Sequence, residues 1–116
     1  MTEYRKLKLM SEVQCWAIWN MDDVGNIDPS DLPLSKALVD DLNEWSDRYD
    51  TIYKLHEPNF HVDISFASKE EEDRFYNDGW SLLARLKLEM PSVEWWYKDD
   101  RYDGFLSEKP SAWTPF

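Results

Sequence analysis

Two segments of the sequence space their apolar residues three and four positions apart, which is the periodicity of an amphipathic helix. The first begins at Ser35, which we predict to be the N-cap, and runs to about Lys54. Its apolar positions are Leu38, Leu42, Trp45, Tyr49, Ile52 and Tyr53. The second follows Ser68 and ends before Pro91, and its apolar positions are Phe75, Tyr76, Gly79, Leu82, Leu83, Leu86 and Met90. Two helices of this kind need a shared apolar surface to cover, and a small β-sheet provides one.

The second helix carries local signals at its start and in its middle. Ser68 and Glu71 have capping-box spacing, in which the serine oxygen accepts from the Glu71 amide and the carboxylate returns to the Ser68 amide. Gly79 lies on the apolar stripe although glycine costs about 1 kcal/mol in a helix, so we expect a close approach to a neighbouring element there. Trp80 falls outside the stripe, and we expect it on the exposed side of the helix.

Alternating apolar and polar residues predict three strands, which cover residues 4–10, 13–19 and 93–97. The connection between the first two is too short for a parallel crossover, so we expect an antiparallel hairpin. Residues 20–34 are predicted to form a loop, because proline and glycine turn formers recur there. Residues 55–67 also alternate in part, and we expect either a short strand or an extended segment between the two helices.

The predicted element order is therefore β-β-α-α-β. We predict an α+β fold in which a small, mainly antiparallel sheet carries both amphipathic helices on one face. The 116 residues suffice for one domain, which we place at residues 1–98. Residues 99–116 are predicted to be an irregular aromatic C-terminal tail. The second face of the sheet must then carry aromatic residues that the core does not use, such as Trp16 or Trp96.

The charge of the chain is strongly negative and unevenly distributed. Thirteen Lys and Arg residues oppose 24 Asp and Glu residues, which gives a formal net charge of −11. Between Asp22 and Asp50, nine acidic residues are opposed by Lys36 and Arg48 alone, so this stretch carries −7 of the total. Such acidity disfavours direct binding to nucleic acid or to an anionic membrane, and it favours a basic partner.

Acidic residues of the first helix are candidate contacts for that partner. At helical spacing, Asp40, Glu44 and Asp47 share one side of the helix with Asp41 beside them. We expect Glu44 and Arg48 to form the (i, i+4) pair that offsets charge here, and the other acids to be uncompensated. The alternative is an ordinary solvated face that keeps the protein soluble.

Two loop acids and two tryptophans complete the predicted contact set. Tryptophan is enriched at protein–protein interfaces, where it acts as a large anchor. The alternative for both rings is a structural role, either on the second face of the sheet or under the tail. The predicted partner-binding residues are Asp22, Asp23, Asp40, Asp41, Glu44, Asp47, Trp80 and Trp96.

The sequence offers no catalytic, cofactor or metal motif, and we expect a binding protein rather than an enzyme. The single cysteine, Cys15, lies in a predicted strand and is expected to be a buried structural thiol. The oxygen-rich segment 22–31 lacks the register of an EF-hand, and His56 and His61 lack a helical metal-ligand spacing. A hydrolase with paired carboxylates is the least favoured hypothesis, because 24 acids make any such pair unspecific. No apolar run approaches about 18 residues, so we expect a cytoplasmic protein.

Several segments resemble small acidic bacterial immunity proteins. The residues from Ile27 to Ser35 follow the pattern I-D-P-x-D-L-P-L-S, and those from Leu42 to Asp50 follow L-x-x-W-x-x-x-Y-D. The residues from Phe66 to Phe75 follow F-x-S-x-E-E-E-x-x-F, with Gly79, Leu83 and Leu86 behind them. The resemblance covers approximately residues 13–97. The departures from the family pattern lie in residues 55–64 and in the tail after Tyr97.

Such immunity proteins are encoded beside toxins of contact-dependent inhibition and related polymorphic toxin systems. The resemblance implies cytoplasmic binding and neutralisation of one cognate toxin domain, often a nuclease, and we expect a basic one. The resemblance assigns no catalytic residue to this chain. The competing hypothesis is a homo-oligomeric structural or adaptor protein without a toxin partner, whose surplus aromatic residues form a self-interface.

Overall fold

In the computed structural model, which describes residues 4–12, 14–22, 25–54 and 68–109, a four-stranded sheet packs against two long helices. The strands are β1 (Lys6–Leu9), β2 (Ile18–Asn20), β3 (Asn26–Ile27) and β4 (Glu94–Tyr97). The helices are α1 (Lys36–Lys54) and α2 (Lys69–Glu89), with a short 3₁₀ helix at Pro29–Asp31 before α1. The predicted bounds of both long helices are confirmed.

The strand order across the sheet is β3-β2-β1-β4. The strands β1 and β2 pair antiparallel, which confirms the hairpin, and β3 adds antiparallel to β2. The strand β4 returns after both helices and pairs parallel with β1. The sheet is therefore mixed but mostly antiparallel, and the predicted α+β class is confirmed.

Alternation along the central strands separates the two faces of the sheet. Leu7 and Leu9 of β1 are fully buried, and Trp95 and Tyr97 of β4 lie beside them in register. The intervening positions, among them Lys8, point to the outer face. The inner face is the apolar surface that the helices cover.

Both helices meet the inner face of the sheet at Tyr97. Trp45 of α1 stacks on Phe75 of α2 with 4.5 Å between ring centroids, and its Nε1 donates to the Phe75 carbonyl oxygen at 2.9 Å. The Tyr97 ring lies 6.2 Å from Trp45 and 4.7 Å from Trp80. The predicted apolar stripes are confirmed for the side chains that the structure describes, because their residues are buried or packed against the core.

The close approach predicted at Gly79 is confirmed, and the neighbouring group is an aromatic ring. A Cβ atom at Gly79 would lie 2.1 Å from the Tyr97 Oη and 2.9 Å from Trp45 Cζ2. The Tyr97 hydroxyl reaches across this position and donates to the Tyr76 carbonyl oxygen at 2.9 Å. Glycine therefore allows β4 to pack directly on the backbone of α2.

Serine residues cap both helices, as their positions in the sequence predict. The Ser68 Oγ accepts from the Glu71 amide at 3.1 Å, and the Ser35 Oγ accepts from the Leu38 amide at 3.2 Å. The carboxylate of Glu89 accepts from the Ser35 amide at 2.6 Å and from the Ser35 hydroxyl at 2.7 Å. These bonds lower the pKa of Glu89 and connect the end of α2 to the start of α1.

The structure corrects the prediction for residues 13–34 in two places. The second strand begins at Ile18 rather than at residue 13, because Gln14 has a positive φ of 56° that interrupts extended backbone. The predicted loop contains β3 and the 3₁₀ helix, in which the Asp28 carboxylate accepts from the Ser30 amide at 2.9 Å. A turn-rich composition does not reveal such a short edge strand, since β3 has only two residues.

The prediction that Trp80 lies on the exposed side of its helix is wrong. Trp80 is 7% exposed, and its Nε1 donates to Asp99 Oδ2 at 2.8 Å. The turn at residues 99–102 covers this second face of α2, and helical periodicity alone cannot anticipate a cover from a distant segment.

Arg101 fixes that turn to α2. Its guanidinium donates to Asp99 Oδ2 at 2.7 Å, to Asp73 Oδ1 at 3.0 Å and to Asn77 Oδ1 at 3.0 Å. Residues 99–102 therefore pack against the helix, and Leu106 forms an isolated antiparallel bridge with Tyr97. The domain boundary at residue 98 stays a prediction. The predicted extended segment at 55–67 and residues 110–116 of the predicted tail lie outside the described residues.

Candidate functional site

Four of the predicted contact residues form an exposed surface on α1, which we call the acidic face: Asp40, Asp41, Glu44 and Asp47. All four are exposed, while Leu38, Leu42 and Trp45 on the opposite side of the helix are buried. At about 100° per residue, the four carboxylates cover roughly a third of the helix circumference. The sequence prediction that these acids share one solvent-facing side is confirmed.

The acidic face is partly compensated by cations, which the sequence interpretation did not anticipate. Lys36 Nζ lies 2.7 Å from Asp40 Oδ2, and Arg85 Nη1 of α2 lies 2.7 Å from Asp41 Oδ2. Arg48, expected to pair with Glu44, instead pairs with Asp78 of α2 at 2.8 Å. Exposed ion pairs of this kind contribute only about 0–1 kcal/mol, so cations of a partner can compete for these acids.

A cleft of about 470 Å³ opens beside the acidic face, between α1 and the turn that precedes β2. We call it the Trp16 cleft, and it is lined by Gln14, Cys15, Trp16, Asn26, Asn43, Ser46, Asp47 and Asp50. Its volume falls in the range of about 300–1,000 Å³ that is typical of ligand sites. Asp47 belongs to both the cleft and the acidic face, so the two features are continuous.

Hydrogen bonds hold in place the side of the cleft that is formed by the turn before β2. The Asn26 side chain accepts from the Trp16 amide at 2.9 Å and donates to the Trp16 carbonyl oxygen at 2.8 Å. The Gln14 amide donates to Asp50 Oδ1 at 2.6 Å, which connects the turn to α1. Trp16 remains 45% exposed, so part of this residue is open to solvent beside the cleft.

Cys15 lines the same cleft and is half-buried rather than buried as predicted. Desolvation raises the pKa of its thiol, and the negative charges of Glu12 and Asp50 raise it further. The raised pKa keeps the sulfur protonated near neutral pH, which makes it a poor nucleophile.

We expect alkylation of Cys15 by iodoacetamide to reach its half-maximal rate at a higher pH in the folded protein than in the urea-unfolded chain. The reason is that the thiolate is the reactive form and the folded environment disfavours it. Glu12→Gln removes one of the negative charges and is expected to move the profile back towards lower pH. Coincident pH profiles for the folded and unfolded chains would contradict the assigned environment.

The remaining predicted contacts do not join the acidic face. Asp22 follows β2, at the opposite end of the hairpin from the Gln14 turn, and lies 3.9 Å from Arg5. Trp96 lies on the outer face of the sheet, where its Nε1 donates to Glu94 Oε2 at 2.6 Å. Trp80 packs in the core, and Asp23 lies outside the described residues.

The outer face of the sheet has a different character from the acidic face. Lys8 lies between Trp96 and Trp19 in the strand register, and its Nζ is 4.6 Å from the centroid of the Phe105 ring. Lys6 lies 3.8 Å from Glu94 in the adjacent row. This face combines lysines with aromatic rings, so it is not complementary to a basic partner.

Sequence reasoning missed the residues that build the Trp16 cleft, with the exception of Asp47. Asn43, Ser46, Asp47 and Asp50 recur at the three- and four-residue spacing of a single helix side, which is a signal that the sequence contains. That side is mixed in polarity and is not an apolar stripe, so apolar periodicity does not reveal it. The pairing of this side with Trp16 depends on tertiary packing.

The described part of the chain has neither a helix that could span a membrane nor a cluster of metal-binding side chains. Neither α1 nor α2 as described is long and apolar enough to span a membrane. Among residues 4–12, 14–22, 25–54 and 68–109, no group of three or more His, Cys, Asp and Glu side chains could hold a metal ion.

Comparison with known proteins identifies one family. A family model described as "Serratia CdiI immunity protein-like" matches residues 5–110, which is nearly the whole chain. The match includes α1, the Trp16 cleft and the turn that covers α2. A search among curated proteins finds no match.

Proposed function

Because the chain belongs to the Serratia CdiI immunity protein-like family, a group of contact-dependent inhibition immunity proteins, we propose that it neutralises a basic, nuclease-type toxin domain by binding it through the acidic face. Nucleases contact the phosphate backbone of their substrates with Lys and Arg, and the resulting basic surface is complementary to a row of carboxylates. The role is one of binding, with no catalytic step, and it takes place in the cytoplasm of the protected cell.

The observation that carries this proposal is the density of exposed carboxylates on α1. Asp40, Asp41, Glu44 and Asp47 lie within eight consecutive residues and all face solvent. In the absence of a partner, such a cluster repels itself, and the exposed pairs with Lys36 and Arg85 relieve only part of this repulsion. A basic partner surface would relieve the rest.

Complementary charge acts mainly on the rate of encounter. Electrostatic steering raises association rate constants from about 10⁵–10⁶ to as much as 10⁸–10⁹ M⁻¹s⁻¹ at low salt. Fast capture suits an immunity protein, because a toxin molecule that enters the cytoplasm acts until it is bound.

We expect the double variant Glu44→Lys with Asp47→Lys to bind the toxin domain encoded beside the chain's own gene about ten- to a hundredfold more slowly at low salt. The matched control is Glu70→Lys with Glu108→Lys, which changes the net charge equally at two exposed acids outside α1. Surface plasmon resonance at several salt concentrations, with a catalytically inactive toxin domain, measures the effect. Equal association rates for the two double variants would remove the acidic face from the proposal.

Neutralisation itself is tested by co-expression. Cells that produce the active toxin domain are expected to survive when they also produce this chain, and to survive less well with the acidic-face double variant. Death of cells that produce the unaltered chain would contradict the proposed function as a whole.

Self-association is the second candidate, and the exposed aromatic rings Trp16 and Phe105 are the observation that favours it. Sedimentation velocity of the purified chain over a hundredfold range of concentration separates the two functions. A concentration-independent monomer that binds the toxin domain supports the immunity role. A tight dimer without affinity for the toxin domain supports a homo-oligomeric structural or adaptor role.

A further inference from the structure

We infer that the Trp16 cleft receives one arginine side chain of the toxin domain, an assignment that rests on the proposed function and specifies the chemistry of its central contact. Arginine carries a planar cation with five donors that binds carboxylates in pairs and stacks on aromatic faces. The cleft presents both kinds of partner, because Asp47 and Asp50 of α1 and the exposed residue Trp16 all line it.

The hydroxyl group of Ser46 is the second observation that supports a ligand in the cleft. Ser46 lines the cleft, is 6% exposed, and its Oγ has no hydrogen-bond partner within the described part of the protein. A buried polar group without a partner costs about 1–3 kcal/mol, so native proteins rarely keep one without a reason. The Ser46 Oγ is itself closed to solvent, so a guanidinium in the cleft reaches it when the Ser46 side chain rotates towards the cleft, and its remaining N–H donors can then bind a carboxylate.

The polar groups of the cleft are mostly oxygen acceptors. Asp50 uses Oδ1 to hold the Gln14 amide, and Asn43, Ser46 and Asp47 add further oxygens from the same side of α1. Residues from about two turns of α1 therefore line one space, and their acceptors fit the five donors of arginine better than the three of lysine. The presence of Trp16 in the lining favours arginine further, since a guanidinium stacks on an indole ring.

The cleft is also preorganised, which limits the entropy lost on binding. Asn26 holds both the amide and the carbonyl of Trp16, and the Gln14–Asp50 bond fixes the turn against the helix. A metal ion is a poorer fit than an organic cation, because the cleft contributes only two carboxylates, from Asp47 and Asp50. The cleft is thus preorganised and negatively charged, with one aromatic residue in its lining.

The first test uses a small probe and does not depend on the toxin. N-acetyl-arginine-N-methylamide is titrated into the ¹⁵N-labelled chain, and the neutral citrulline analogue and the lysine analogue are titrated in parallel. We expect the arginine probe to shift the resonances of Ser46 and Asp47 and the Trp16 indole N–H, with a dissociation constant on the order of millimolar. The lysine probe is expected to bind several-fold more weakly, and the citrulline probe not measurably.

Variants of the cleft sharpen this test. Asp47→Asn is expected to weaken binding of the arginine probe about tenfold, and Ser46→Ala about threefold. Glu108→Gln removes an equal charge from an exposed position outside the cleft and is expected to leave probe binding within about twofold of the unaltered chain. Equal shifts with the citrulline and arginine probes, or no shifts at 20 mM probe (about 20 times the expected dissociation constant), would overturn the inference.

The second test asks whether the toxin uses the cleft. In the complex, we expect the alkylation of Cys15 to be strongly slowed, because Cys15 lines the cleft. Trp16→Ala and Asp47→Asn are expected to raise the dissociation rate of the toxin domain about tenfold or more, while Glu108→Gln leaves it unchanged.

The outcomes separate this inference from the proposed function. In one outcome, the acidic-face variant associates more slowly with the toxin domain, but Trp16→Ala and Asp47→Asn leave the dissociation rate unchanged. That outcome would overturn the cleft assignment and leave the immunity role in place. In another outcome, the unaltered chain binds the arginine probe but does not bind the toxin domain. That outcome would overturn the proposed function and also the assignment of the cleft to the toxin.

Discussion

Asp99→Ala is expected to lower the free energy of unfolding by about 3–5 kcal/mol, which is the usual cost of removing one partner from a buried ion pair. Asp99 is 0% exposed and accepts hydrogen bonds from the Trp80 indole at 2.8 Å and the Arg101 guanidinium at 2.7 Å. Its removal leaves the indole N–H without its acceptor and Arg101 without its principal partner. Urea unfolding followed by tryptophan fluorescence measures the loss.

Asp103→Ala is the matched control for this variant, since Asp103 is exposed in the same C-terminal segment. We expect its unfolding free energy to change by less than about 0.5 kcal/mol. Equal unfolding midpoints for the two alanine variants would show that the buried pair does not stabilise the fold.

The same pair makes stability depend on pH. Burial would raise the pKa of Asp99, but the hydrogen bonds from Arg101 and Trp80 outweigh it and hold that pKa below its ordinary value. A carboxyl group whose pKa is lower in the folded than in the unfolded protein stabilises the fold fully when the pH is above its unfolded pKa. This contribution is lost as the pH falls through its folded pKa. Unfolding free energy is therefore expected to decrease below about pH 4, and to decrease less steeply in Asp99→Asn. If the unfolding free energy fell equally steeply with pH in the unaltered protein and in Asp99→Asn, the lowered pKa of Asp99 would be contradicted.

Gly79→Ala is expected to destabilise the protein by about 2–3 kcal/mol, although alanine favours a helix by about 1 kcal/mol relative to glycine. The added Cβ would lie 2.1 Å from the Tyr97 Oη and 2.6 Å from Tyr97 Cζ. The ring cannot move aside easily, because it is packed between Trp45 and Trp80 and its hydroxyl is hydrogen-bonded. Thermal and urea unfolding measure the change.

The control for Gly79→Ala is Gly25→Ala, where an added Cβ has no atom within 4 Å among the described residues. That substitution is expected to be neutral or slightly stabilising. In a double-mutant cycle, Tyr97→Phe is expected to cost less in the Gly79→Ala background than alone, because it removes the atom in closest conflict. Strict additivity of the two substitutions would contradict a steric origin.

Much of the fold was predictable because its signals are local. The helices were found from apolar spacing, and their starts from Ser35 and Ser68, whose side chains bond to amides three residues away. The sequence predicts too early a start for β2, because the positive φ of Gln14 has no marker in the sequence. Trp80 was assigned to the wrong environment because Asp99 and Arg101, which cover it, lie about twenty residues further along the chain.

The candidate site, like the fold, has features that the sequence predicts and features that depend on tertiary packing. Exposure of the acidic face followed from the position of its acids opposite the apolar stripe, so helical geometry was sufficient to predict it. The ion pairs of Asp41 with Arg85 and of Arg48 with Asp78 join two helices, and their existence depends on how α1 and α2 pack. For the same reason, the sequence did not reveal that Trp16 lies across a cleft from Ser46 and Asp47.

The amino-acid sequence by itself determined the helices, their caps and the negative charge on α1. Those features arise from interactions between residues a few positions apart, or from composition. Tertiary structure alone decided that Asp41 pairs with Arg85, that Trp80 is enclosed, and that Trp16 lines one cleft with Ser46 and Asp47. These depend on contacts between distant segments, whose geometry is set only when α1, α2 and the sheet pack together.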